Sequence, residues 1–474
     1  MAQLIEKKIQ LKPLLDLILQ QHNKFQDNKI FITTTFSQEK VQQSQNNYDN
    51  KVAGPLEGLF IGMKDNVNTK GVLTTCGSKI LHNFVPEYNA TIIDKLEDAG
   101  AIIVGKVNMD EFAMGSLGSY SYFGTTINPW VDNTGKQYVC GGSSSGSAAV
   151  VASGIAPVSI GTDTGGSVRL PAAWCGIVGF KPSYGVISRY GVIPMANSLD
   201  TVSLFARQVQ DLLPVFNVLA GYDKRDASSV DLDALSPQYA MKNTKKIAII
   251  KEFNDCPDIF PTINKVKNFL EKQGYTVEEV SVPAVEYGLS LYNNMVPMEV
   301  MSNLARFDGI RYGLSVEDYS NYPDYITAVR SQGFGEEAQR RIFAGAYMAS
   351  KFYSKERSLK AYAVKKWMGD KFHELFHEYD YVLQPTSASF AVAIDGINNM
   401  DPLNIIKTDK YTVIANLIGA PAIHIPIDLY PNGMPLGVSL MANVLQDRSL
   451  LDLACAIDGH FQFHKTLIDQ VINK

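Results

Sequence analysis

The stretch Ala90–Val104 limits the architecture more than any other part of the sequence. Ala90–Ala99 places its apolar residues at helical spacing, Gly100 stops the helix, and Ala101-Ile-Ile-Val104 is a short apolar run of the kind buried in a sheet. The same order returns later: Lys246-Ile-Ala-Ile-Ile250 reads as a strand, Thr262–Gln273 as a helix, Gly274 as its stop and Tyr275–Val282 as a second strand. Strand, helix, strand in that order implies an α/β sheet with helices on its faces. Further strands are expected at Tyr381–Gln384 and Ala422–Pro426, and residues 285–380 carry longer helical patterns that read as an insertion. Residues 1–50 read as an N-terminal helix followed by a polar linker, because Ser37–Lys51 is rich in Gln and Asn and lacks periodicity. Residues 51–474 are expected to form one large domain.

Composition excludes several function classes. With 474 residues, 46% hydrophobic and 19% charged, the chain can bury a large core. Its net charge of -5 leaves no basic excess for phosphates, so an RNA substrate would need a basic partner. The five cysteines lie far apart with no Cys-x-x-Cys pair, which argues against a zinc or redox centre and for a reducing compartment. Gly, Pro or charge interrupts every apolar run before the roughly 18 residues of a membrane span. The first 24 residues mix lysines with apolar residues but lack arginine and carry Glu6 and Asp16, as expected of an amphipathic helix packing on the body rather than a cleaved targeting signal.

Candidate chemistry concentrates between Cys140 and Pro182. Gly141-Gly-Ser-Ser-Ser-Gly-Ser147 and Gly161-Thr-Asp-Thr-Gly-Gly-Ser167 have the glycines that let backbone approach a ligand. Small residues after the first segment permit a closely packed helix, whose N-terminus suits an anionic intermediate. The amides around Thr164, Gly165, Gly166 and Ser167 can converge on an oxyanion, with Ser167 as the nucleophile of acyl transfer. No histidine lies between His82 and His373, so no neighbour in sequence supplies an imidazole base, although a distant one could; lysine is the documented substitute. Lys64 ends the apolar run Leu59-Phe-Ile-Gly-Met63, and burial there would lower its pKa enough to accept a proton. Two rival motifs occur. Gly142-Ser-Ser-Ser-Gly146 fits a nucleophile elbow around Ser144 but lacks a clear preceding strand. His373-Glu-Leu-Phe-His377 fits a zinc-binding helix, yet Phe372, Leu375, Phe376 and Tyr379 form that helix's apolar stripe, and no third ligand is evident.

Together, Gly62-Met-Lys-Asp65, Gly141-Gly-Ser-Ser144, Gly161–Ser167 and Cys175-Gly-Ile-Val-Gly-Phe-Lys-Pro182 resemble the amidase-signature family over about residues 51 to 463. The resemblance implies a large mixed central sheet covered by helices on both faces, and a Ser-Ser-Lys triad. Ser167 would be the nucleophile, Ser143 a relay on a cis peptide bond and Lys64 the general base, with no metal and no cofactor in this chain. Within the family, Asp110–Gly115, Asn303–Gly313 and Gly333–Ile342 resemble the glutaminase subunits of glutamyl-tRNA(Gln) amidotransferases. That likeness implies glutamine as substrate, with Arg341 on its carboxylate, Asp409 on its ammonium and Tyr292 against it. It also implies an amidotransferase B subunit, which uses ATP and magnesium to activate Glu-tRNA(Gln), and a small third subunit, C or a fungal equivalent F. Ser145 stands in place of a usual glycine, and the short stretch before Lys64 and Thr201–Arg207 in place of a Gly-Pro segment resemble fungal mitochondrial versions. The implied location is the mitochondrial matrix, with a bacterial-type cytoplasm as the alternative. A freestanding amidase for another small amide and a non-catalytic scaffold are the competing functions; Lys64, Ser143 and Ser167 occurring together argue against the scaffold.

Overall fold

The alternating order closes into an eleven-stranded sheet in the computed structural model, which describes residues 10–231, 235, 243–350 and 355–473. In chain order the strands are β1 (Phe31–Thr34), β2 (Phe60–Lys64), β3 (Ile102–Val107), β4 (Ile127–Val131), β5 (Gln137–Val139), β6 (Val158–Asp163) and β7 (Val178–Lys181). They continue with β8 (Thr201–Ala206), β9 (Lys246–Ile250), β10 (Thr276–Val280), β11 (Tyr381–Pro385), β12 (Ala422–Leu429) and β13 (Pro435–Ala442). The large sheet runs β1-β3-β2-β6-β8-β7-β12-β13-β11-β9-β10, and β4 and β5 form a separate pair. It is mixed: β2 is parallel to both β3 and β6, whereas β6 is antiparallel to β8 and β12 to β13.

Both faces of the sheet are covered, as its alternation shows. Along β9, Ile247 and Ile249 enter one core cluster and Ala248 and Ile250 the other; along β11, Tyr381 and Leu383 separate from Val382 in the same way. The first cluster is closed by Ile263, Val266 and Leu270 of the helix Phe260–Lys272 and by Leu450, Leu451 and Ile457 of the helix Asp447–Phe461. The second is closed by the inserted helices Gly288–Leu304, Tyr322–Gly333, Glu336–Ala349 and Lys355–Glu378 through Met295, Val329, Ala338 and Phe372. No described helix is long and apolar enough to cross a membrane.

The N-terminal region departs from expectation. Residues 38–49 form a helix, not a polar linker: Ser37 caps it by accepting the Lys40 amide at 3.2 Å. Only Val41, Ser44 and Tyr48 are buried, and this narrow seam includes a serine, so the surrounding Gln and Asn hide the helical period. Before it, Leu11, Leu15 and Ile18 of the helix Leu11–Lys24 join the first core, and β1 pairs antiparallel with β3 as an edge strand of the large sheet.

Candidate active site

Neighbouring parallel strands end at the same edge of a sheet, and β2 and β6 are such neighbours. Lys64, the last residue of β2, therefore meets Thr162 near the end of β6, with Nζ 2.9 Å from Thr162 Oγ1. The helix Ser145–Ala152, made of small buried residues, packs against both strands and brings the turn before it to the same point. There Lys64 Nζ lies 2.9 Å from Ser143 Oγ and 2.7 Å from Ser144 Oγ, and the Gly142–Ser143 peptide is cis. Lys64 is fully buried. Burial lowers its pKa to about 7 against the opposing pull of Asp110, Asp200 and Asp163. A neutral amine has two N–H donors and one lone pair. The Ser144 hydroxyl donates to the Thr162 carbonyl at 3.1 Å, so its oxygen accepts from Lys64. One N–H and the lone pair are left for Ser143 and Thr162, and a proton can pass between Ser143 and Lys64.

Beyond β6 the chain turns through Thr164-Gly165-Gly166-Ser167 into the helix Arg169–Trp174, and Asp163 organises that turn. Its carboxylate accepts the amides of Gly166 at 2.9 Å and Val168 at 3.2 Å, together with Nε and Nη2 of Arg169 at 3.1 and 3.0 Å. Burial, the largest single effect, would raise the Asp163 pKa, but the charge and hydrogen bonds of Arg169, the Lys181 charge and the Asn416 hydrogen bond together outweigh it and hold the group at about 2. Gly166 is thereby a correction to the expected donors: its N–H is already committed to Asp163. The amides of Thr164, Gly165 and Ser167 have no partner among the described residues. The Ser144 amide donates to the Ser167 carbonyl at 3.2 Å and ties the two loops together. Ser167 is partly exposed whereas Ser143, Ser144 and Lys64 are buried. Because Asp163 and Arg169 are both inaccessible, Asp163→Ala should strand a buried guanidinium. A loss of about 3–5 kcal/mol is expected, read by chemical denaturation.

Tyr292, Arg341 and Asp409, far apart in sequence, line one cavity together with Gly115, Ser116 and Glu337. The nucleophile loop adjoins it directly: a Cβ on Gly165 would come within 2.7 Å of the Tyr292 ring, so only glycine permits this contact. Glu337 accepts from Arg341 Nε at 2.7 Å and steadies its guanidinium. The Ser116 hydroxyl donates to Asp409 at 2.6 Å, while burial raises the Asp409 pKa to about 7. Burial likewise raises the Tyr292 hydroxyl, against the pull of Arg341.

The amidase family is matched over residues 15–451. The chain belongs to the amidase family. It is 41% identical over 451 residues to the A subunit of glutamyl-tRNA(Gln) amidotransferase from Picosynechococcus sp., covering 92% of each chain. The corresponding A subunit of Sulfolobus acidocaldarius is 39% identical over 436 residues, with 90% of each chain covered. The crystal structure of the glutamyl-tRNA(Gln) amidotransferase A subunit from Thermotoga maritima superposes with a TM-score of 0.77 at 32% identity, covering 96% of this chain and 94% of that one.

In this member of the amidase family neither rival motif has the geometry its chemistry requires. Ser144 is buried between Lys64 and the Thr162 carbonyl, and the strand before it, β5, has three residues and lies outside the large sheet. That is not the strand-to-helix elbow of a hydrolase. His373 and His377 are exposed with Nε2 atoms 3.1 Å apart, and no group of three or more metal-ligating side chains occurs among the described residues. Sequence reasoning missed Thr162, Asp163, Ser116 and Glu337 as supporting groups. The first two lie inside the nucleophile segment, Ser116 directly follows Asp110–Gly115, and Glu337 lies inside Gly333–Ile342. Their place in or next to those segments was the signal that could have found them; their partners are not visible in the sequence.

Proposed function

We propose that the chain is the glutaminase subunit of a glutamyl-tRNA(Gln) amidotransferase. It hydrolyses glutamine through an ester on Ser167 and supplies ammonia for converting Glu-tRNA(Gln) to Gln-tRNA(Gln). The observation that carries this reading is the presence of Arg341 and Asp409 in one cavity against the nucleophile loop. A guanidinium and a carboxylate facing one space suit a zwitterionic amino acid, whereas an apolar amide offers neither group a charged counterpart. This disfavours the freestanding amidase for a simple amide.

In the proposed cycle Ser167 Oγ attacks the side-chain carbonyl carbon while its proton moves to Ser143 Oγ and the Ser143 proton moves to Lys64 Nζ. The amides of the Thr164–Ser167 turn that have no partner among the described residues, those of Thr164, Gly165 and Ser167, meet the charge on the carbonyl oxygen. Collapse breaks the C–N bond, and the proton returns from Lys64 through Ser143 to the leaving nitrogen, which departs as ammonia. Water, deprotonated along the same path, then attacks the ester and frees glutamate and Ser167.

The net charge of -5 fits a division of labour in which the tRNA is held elsewhere. In this reading the B subunit uses ATP and magnesium to activate Glu-tRNA(Gln), and the small third subunit is C or its fungal equivalent F. The compartment is the mitochondrial matrix, checked by fractionation of the native cells. The test of the central claim is ammonia release from glutamine by the complex purified with its partners; absence of release sinks it. Arg341→Ala is expected to raise KM for glutamine about ten- to a hundredfold while changing kcat much less, because the guanidinium binds a group remote from the reacting carbon.

A further inference from the structure

The helix that carries Glu337 and Arg341 begins after Gly335, a residue with no side chain to cap it. A side chain from the catalytic body holds that start instead. The Gly335 amide donates to Glu111 Oε2 at 2.9 Å, and the Ser78 hydroxyl donates to Glu111 Oε1 at 2.5 Å. The approach is close: a Cβ on Gly335 would lie 2.8 Å from Oε2. Glu111 is only 4% exposed and does not line the glutamine cavity, so it neither touches substrate nor serves as a solvated surface charge. A carboxylate at this end also meets the positive pole of the helix.

The neighbouring residues extend the anchor. Phe112 packs against Phe334, the residue before Gly335, with ring centroids 5.7 Å apart, and against Phe307 at 4.8 Å. On the other side, Asp110 accepts the amides of Gly118 at 3.0 Å and Tyr120 at 2.8 Å, so it shapes the cavity wall that includes Ser116. The Asp110 amide donates to the Ser143 carbonyl at 3.1 Å. Two consecutive residues therefore join three parts of the site: Asp110 ties the serine turn to the cavity lining around Ser116 and Tyr120, and Glu111 ties the same short segment to the helix that carries Glu337 and Arg341.

We infer that Glu111 is a positioning residue for substrate recognition, fixing the start of the helix Glu336–Ala349 so that Arg341 meets the α-carboxylate of glutamine. An α-helix transmits a displacement of its first turn along its axis, and Arg341 sits within the first two turns. The inference rests on the glutaminase reading above. It predicts a defect confined to substrates that use Arg341.

The test compares glutamine with 4-aminobutanamide, which is glutamine without its α-carboxylate, using the full chain in its complex. Glu111→Ala is expected to raise KM for glutamine about tenfold, with kcat within about twofold of the parent and kcat/KM for 4-aminobutanamide unchanged. Glu111→Gln should restore the glutamine KM, because its carbonyl can accept from Gly335 while its amide donates to Ser78 Oγ. Equal losses on both amides, an unchanged KM for glutamine, or no rescue by Glu111→Gln would each overturn the assignment. If Glu111→Ala does not fold, Ser78→Ala removes one of the two holding bonds and is expected to raise KM for glutamine alone; no rise counts against the inference. Ser167→Ala serves as the reference. Hydrolysis by Ser167→Ala at the parent rate means the glutaminase reading is wrong, whereas a Ser167→Ala slowed about 10⁴-fold beside a normal Glu111→Ala overturns the positioning role only.

Discussion

Ser167→Ala is expected to lower glutamine hydrolysis by about 10⁴-fold or more, with the fold intact. The Ser167 side chain has no hydrogen-bond partner among the described residues and is partly exposed, so its loss should change stability by no more than about 0.5 kcal/mol. Ser143 cannot substitute, because its hydroxyl is buried against Lys64. Ammonia release gives the rate, and mass spectrometry after a rapid quench seeks the glutamyl ester on Ser167. Ammonium salts supplied to the complex should bypass the defect in tRNA amidation, which separates loss of ammonia production from loss of assembly. An unchanged hydrolysis rate would remove Ser167 from the mechanism.

Lys64→Met should cost about 10³- to 10⁴-fold in kcat and should abolish the acid limb of the pH profile. The sign follows from the role: Lys64 accepts a proton only as the neutral amine, and burial sets its pKa at about 7. Activity of the parent is therefore level above about pH 7 and falls about tenfold per pH unit below it. Asp409 also titrates near 7, but its carboxylate faces the glutamine ammonium in the proposed complex and acts on binding. Rates at saturating glutamine thus isolate Lys64. A limb near pH 7 that persists in Lys64→Met would assign the general base to another group.

The readable and unreadable parts of the fold differ in a physical way. Lys246–Ile250 is a strand with the bounds its apolar run predicts, because burial on both faces makes it continuously apolar, and Ala90–Ala99 contains the helix Thr91–Asp98, which buries enough of one face to impose a period. The helix Gln38–Asp49 buries only three side chains, and no period survives in its composition. The candidate site divides similarly. Lys64, Ser143 and Ser167 stand in segments whose glycines and small residues have little other use, whereas Glu111, Ser116 and Glu337 are ordinary polar residues until their partners are known.

Local sequence by itself determined the strand and helix alternation and the glycine-bearing segments in which Lys64, Ser143 and Ser167 stand. These depend on short-range periods, on backbone freedom and on residue type, all of which are local. Tertiary structure alone decided that Lys64 titrates near 7, because the packing that buries it lowers its pKa against the opposing pull of three carboxylates from elsewhere in the chain. It alone committed the Gly166 amide to Asp163, narrowing the oxyanion donors. It alone brought Tyr292, Arg341 and Asp409 to one cavity from three separate elements. Burial, dielectric surroundings and hydrogen-bond partners are properties of residues that meet through space, and the order of the chain does not contain them.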